Sequence, residues 1–222
     1  MSLAPRPERC VRIEVSRSAI GRRRARVDAG ALAWIGVASV LCVAALAGAP
    51  WPADGLDWQP ARFATEPWRA LTAVAVHYSR EHLVANLLAV GLTGLFGLVA
   101  QLPARMALAW LAAWPLTHIG LLVRPELAHY GGLSGVVHAG VAVTITWLLL
   151  SGTRAQRLVT VAVLAGFVGK LVSEAPWGAV LRHPEGWGIA TAPIAHTTGA
   201  LAGALCAAIA SVAWRGPRHG AG

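Results

Sequence analysis

The chain has 222 residues, 56% of them hydrophobic and only 13% charged, with a mean hydropathy of +0.56. A soluble domain carries about 25% charged residues, so the composition fits lipid as the main solvent and argues against disorder, a disulfide scaffold or an ordinary soluble α/β enzyme. The net charge of +9 does not point to nucleic acid, because eight of the 19 basic residues stand before Val27 and no basic-aromatic module accompanies them.

Those eight are Arg6, Arg9, Arg12, Arg17, Arg22, Arg23, Arg24 and Arg26. Residues 1–30 read as a basic cytoplasmic leader, the flank expected ahead of a first span. The first apolar run covers 31–49. Its end, Ala47-Gly48-Ala49, offers small residues for signal cleavage, but both run and leader are long for a signal peptide, and the run reads as a span. Further runs follow at 70–100, 105–123, 132–150, 157–173 and 193–213. The 70–100 run exceeds one crossing. Its first dozen residues are expected to enter from the interface, with the span proper near 82–100. Residues 31–213 therefore predict an all-α membrane protein, a bundle of six transmembrane helices, and 214–222 a short cytoplasmic tail. Cys10, Cys42 and Cys206 are too scattered for a metal site or a disulfide framework.

Charge sets the orientation. With the leader inside, the inner segments hold its eight arginines plus Arg105, Arg154, Arg157, Arg215 and Arg218. The outer segments and adjoining helix starts hold Arg62, Arg69, Arg80, Arg124 and Arg182. The excess predicts both termini on the cytoplasmic side. Trp51, Trp58, Trp68, Trp177 and Trp187 are expected as an outer aromatic belt, with Trp214 at the inner surface.

Polar residues inside spans are costly and need a reason. The second span opens with His77, His82 and Asn86, the last two sharing a helix face. The fourth opens Gly132-Leu133-Ser134-Gly135-Val136-Val137-His138, with Ser134 and His138 on one face. The sixth carries His196. Spans two, four and six all run from outside to inside, so His82, Asn86, Ser134 and His196 fall at one shallow depth. A serine, a histidine and an amide-bearing side chain at one depth can act as nucleophile, base and oxyanion donor.

Other readings use the same residues. Gly-x-Ser-Gly and Gly199-x-x-x-Gly203 are small-residue packing motifs. His82 with Asn86 can be an interhelical hydrogen-bond pair. The four histidines could gather a metal, but no carboxylate or cysteine joins them, and neither metal nor organic cofactor is expected. No acidic residue falls within spans two, four or six, so the expected machinery is a Ser–His dyad whose imidazole is fixed by packing and local hydrogen bonds.

Taken together, His82-x-x-x-Asn86, Gly132-x-Ser134-Gly135 and the late Ala195-His196 followed by small residues resemble the rhomboid family of intramembrane serine proteases. The resemblance spans about Trp68 to Gly203, with Trp68-Arg69-Ala70-Leu71-Thr72 and the His77–His82 spacing fitting the same pattern. The interval from the serine motif to His138 is similar to the rhombosortase branch. The resemblance implies Ser134 as nucleophile and His196 as general base. It implies His82, Asn86 and the Ser134 N–H as oxyanion hole, with His77 supporting. His138, Gly132 and Gly135 are further supporting candidates. It also implies membrane-anchored substrates with a C-terminal Gly-Gly-type anchor, cut near the outer face of a bacterial inner membrane. The first outer loop, about 50–67, is short and lacks an obvious Trp-Arg element of many rhomboids. A binding relative without catalysis and a small transporter are the rival expectations.

Overall fold

The computed structural model describes residues 8–49, 51–183 and 190–213, with side chains from Asp28 onward. The described chain is helical: α1 (Glu8–Gly48), α2 (Ala53–Leu56), α3 (Arg69–Thr72), α4 (Arg80–Val99), α5 (Ala104–Ile119), α6 (Ser134–Ser151), α7 (Arg154–Ser173) and α8 (Pro193–Ala213). Six stretches are long and apolar enough to cross a membrane: Asp28–Gly48, Arg80–Val99, Ala104–Val123, Ser134–Ser151, Arg154–Ser173 and Pro193–Ala213. The protein is therefore a multi-pass, all-α membrane protein. The long 70–100 run divides as its length requires. A turn of α3 and a 3₁₀ turn at Ala73–Ala75 precede α4, whose N-cap Ser79 accepts a hydrogen bond from the His82 N–H at 3.1 Å.

Glycine and tryptophan decide how the helices pack. The Trp34 and Trp110 rings lie 4.5 Å apart between α1 and α5. A Cβ on Gly97 would strike the Trp34 ring, so α4 approaches α1 only because that residue is glycine. Trp110 donates its indole N–H to the Val136 carbonyl at 2.8 Å, tying α5 to α6. A Cβ on Gly199 would collide with the Gly135 carbonyl, and one on Gly203 with that of Ala139. The Gly199–Gly203 pair is the small-residue seam between α8 and α6. Burial is greatest in α6, at 61% of its apolar window, and least in α7, at 6%.

The aromatic belt needs one correction. Trp51, Trp68 and Trp177 are exposed, but Trp58 is fully buried. Its backbone exchanges two hydrogen bonds with Tyr130, and its ring packs on Phe63 and His118. Trp187 and Trp214 lie outside the described residues. Beside Trp58, the buried Arg69 guanidinium pairs with Asp57 at 3.2 Å and Glu66 at 2.5 Å and donates to the Asp54 and Asp57 carbonyls. His129 reaches the other Asp57 oxygen at 2.6 Å. The short first loop is thus stapled onto the segment that leads into α6.

Candidate active site

That leading segment positions Ser134. The Trp58–Tyr130 bridge holds its start, and the Gly132 N–H donates to the Ala73 carbonyl at 2.9 Å. Gly132 adopts φ +131°, a conformation that side chains rarely take. A Cβ there would also stand 2.9 Å from the His82 ring. Glycine thus both makes the turn and lets α4 bring His82 against the serine loop. Ser134 is the first residue of α6, and its N-cap residue, Leu133, makes no side-chain cap bond. In the same region the Asn86 Nδ2 and His82 Nδ1 atoms are buried without a hydrogen-bond partner. His77 stands edge-on to His82, 5.0 Å between ring centres. Burial lowers the basicity of His77, keeping it neutral near pH 7.

Across the seam, His196 Nε2 lies 3.0 Å from Ser134 Oγ. Its other nitrogen, Nδ1, lies 2.7 Å from the Glu174 carboxylate. The carboxylate is an acceptor only, so Nδ1 carries the proton and Nε2 is left to accept from the serine hydroxyl. Burial opposes the charge on Glu174, but hydrogen bonds and attraction from His196 and Lys170 outweigh it and hold the carboxyl down to about 2. His138 donates Nδ1–H to the Ser134 carbonyl at 2.6 Å. Its ring lies nearly parallel to that of His196, centres 4.2 Å apart, and also stacks with that of Phe167 at 5.6 Å. These groups open onto a cavity of about 800 Å³ lined by His82, Asn86, Ser134, His138, Glu174 and His196 among others.

Residues 64–213 match the Rhomboid domain, which covers this entire constellation. The chain belongs to the rhomboid family. Its family is one of intramembrane serine proteases, acting on membrane proteins. Comparison with curated proteins returns no match.

Within this rhomboid domain, the candidate site residues from sequence lie at or near the cavity. Ser134, His196, His82, Asn86 and His138 line it directly. His77 stands behind His82, and Gly132 and Gly135 provide close approaches to His82 and to α8. The hydrogen bond expected to help fix the His196 imidazole comes from a carboxylate outside spans two, four and six, that of Glu174, the C-cap of α7. His138, a supporting candidate, bonds to the Ser134 carbonyl of its own helix while its ring stacks across to His196. No acidic residue within spans two, four or six signals this partner, because Glu174 lies at the end of the fifth span. The fifth span runs the opposite way, so its C-terminal end meets the same depth as their N-terminal ends.

Proposed function

We propose that this rhomboid-family protein is an active serine protease that cuts membrane-anchored proteins near the outer face of a bacterial inner membrane. The 3.0 Å contact between His196 Nε2 and Ser134 Oγ carries the reading. Ser134 Oγ attacks the substrate carbonyl carbon while its proton passes to His196 Nε2. The peptide C–N bond then breaks as that proton moves to the departing amine. Water hydrolyses the resulting acyl-enzyme by the same base. Asn86, His82 and the Ser134 N–H are the donors for the oxyanion. The buried, unpartnered Asn86 Nδ2 supports this role, since such a group is costly to leave unmatched unless a ligand uses it.

The rhombosortase branch, and with it substrates bearing a Gly-Gly-type anchor, rests on the interval between the serine motif and His138. The basic leader and inner turns support cytoplasmic termini. On that reading, reporters fused after Arg105 or Arg154 register inside, and one near Glu126 registers outside; the reverse at Glu126 would contradict it.

The test of the chemistry is covalent labelling with a fluorophosphonate in native membranes. Ser134 Oγ forms a bond to phosphorus, fluoride leaves, and the serine proton goes to His196. The wild-type protein should label, and Ser134→Ala and His196→Ala should not, although both insert normally. Equal labelling of Ser134→Ala would refute the mechanism.

A further inference from the structure

Resting on the Ser134–His196 reading above, the geometry points to Glu174 as a positioning residue that completes a Ser134–His196–Glu174 relay of hydrogen bonds. Three observations converge on it. The first is the paired distances, 2.7 Å from Glu174 Oε2 to His196 Nδ1 and 3.0 Å from His196 Nε2 to Ser134 Oγ. Each imidazole nitrogen thus has a partner, and the carboxylate selects the tautomer that leaves Nε2 basic.

The second is that Glu174 stands where local helix physics disfavours it. It is the C-cap of α7, at the negative end of the helix dipole, where a cation is preferred and a carboxylate is repelled. Lys170, one turn back, meets the other carboxylate oxygen at 2.5 Å and offsets that repulsion. A residue placed against its local preference and then compensated is the pattern of a functional position.

The third is the effort with which the chain holds this helix end. Ala175 takes φ +46°, the left-handed conformation that glycine normally fills, so the chain turns immediately after Glu174. Arg182 donates to the Ser173 and Glu174 carbonyls at 3.2 and 2.9 Å. Its backbone exchanges two hydrogen bonds with Thr191, two residues before α8 begins. Arg124 donates to the Pro176 and Gly178 carbonyls. The end of α7, the least buried of the six spans, is thereby tied both to the start of α8, which carries His196, and to the loop ahead of α6, which carries Ser134. The charged and titratable side chains facing the carboxylate are His196 and Lys170, with His138 stacked beyond His196.

The experiment measures fluorophosphonate labelling kinetics of the full-length protein in membranes, separating the maximal labelling rate from the probe concentration giving half that rate. Glu174→Gln keeps shape and burial but weakens control of the tautomer. It should lower the maximal rate by up to about 10⁴-fold and leave the half-saturating concentration unchanged. Glu174→Asp, which retains the charge, should recover part of the loss. A general packing defect would move both parameters and would not be relieved by Asp. Wild-type labelling by Glu174→Gln, or equal damage from Asp and Gln, overturns this assignment while leaving Ser134 and His196 intact. Should Glu174→Gln fail to insert, Glu174→Ala takes its place: a reduced maximal rate at unchanged half-saturation supports the role, and a wild-type rate overturns it. Labelling of Ser134→Ala would instead fail the underlying protease reading, so the two failures are distinguishable.

Discussion

Gly199→Ala should disable the site without touching any reacting group. A Cβ at position 199 would stand 1.9 Å from the Gly135 carbonyl oxygen and 2.8 Å from its carbon. Carbon–oxygen contacts of this kind settle near 3.3 Å, so α8 must retreat from α6 by roughly 1.4 Å. The facing atoms are helix backbone and cannot swing aside. Gly199 lies one turn beyond His196, and Gly135 follows Ser134, so the retreat falls directly on the 3.0 Å contact between His196 and Ser134. Opened to about 4 Å, that contact is no longer a hydrogen bond. A misplacement of about 1 Å costs on the order of 10²-fold in rate, and the overpacking should cost about 1–3 kcal/mol of stability. The assay is the fluorophosphonate labelling rate in membranes, with thermal unfolding in detergent alongside. Gly36→Ala and Gly91→Ala serve as controls, because a Cβ at either meets nothing within 4 Å. If Gly199→Ala labels at the wild-type rate while the controls behave normally, the seam does not set the Ser134–His196 distance.

His138→Ala removes the ring stacked on His196 but no group bonded to Ser134 Oγ. It should slow labelling by about tenfold, an effect of about 1.4 kcal/mol, and leave Ser134 reactive. Loss of labelling in this variant together with retention in His196→Ala would mean that the base has been assigned to the wrong histidine. A second expectation follows from Glu174, whose carboxyl is held down to about 2 from an ordinary 4.5. A carboxyl depressed in the folded state contributes stability above its unfolded value and loses it as pH falls toward its folded value. Between about pH 4.5 and 2, thermal stability in detergent should therefore fall more for wild type than for Glu174→Gln; parallel curves would show that the carboxylate gains nothing from its partners.

Much of the fold is legible because lipid imposes a simple length rule. A helix must satisfy its own backbone in the bilayer, so each crossing appears as an apolar run of predictable length. Even the break ahead of α4 follows from a run too long for one span. The convergence of His82, Asn86, Ser134 and His196 is legible from parity alone, because polar groups at equal depth on parallel spans meet if the helices pack closely. Trp58 is not legible this way. An indole in a loop looks the same in sequence whether it faces lipid headgroups or closes over a second core, and only the Tyr130 pairing decides. Glu174 is legible in principle, but not by searching within spans. Outside the membrane a carboxylate carries no desolvation signal, so charge alone gives no reason to single it out among the outer acidic residues.

The departures from local preference gather on one side of the molecule. Gly132 takes a conformation closed to most side chains, α6 begins without a side-chain cap, and Ala175 occupies a glycine geometry. Glu174 faces an unfavourable helix dipole, and Asn86 buries a donor with no acceptor. Selection for packing alone would relieve each of them cheaply: a Ser or Asp cap ahead of α6, a glycine after α7, a lysine at the C-cap. Gln101, at φ +51° in the turn between α4 and α5, shows that an isolated strained residue can occur away from the cavity. The distinction lies in what the departures do together. Around the cavity they leave a hydroxyl bonded to an imidazole nitrogen and an unmatched donor nearby, whereas around Gln101 they turn the chain.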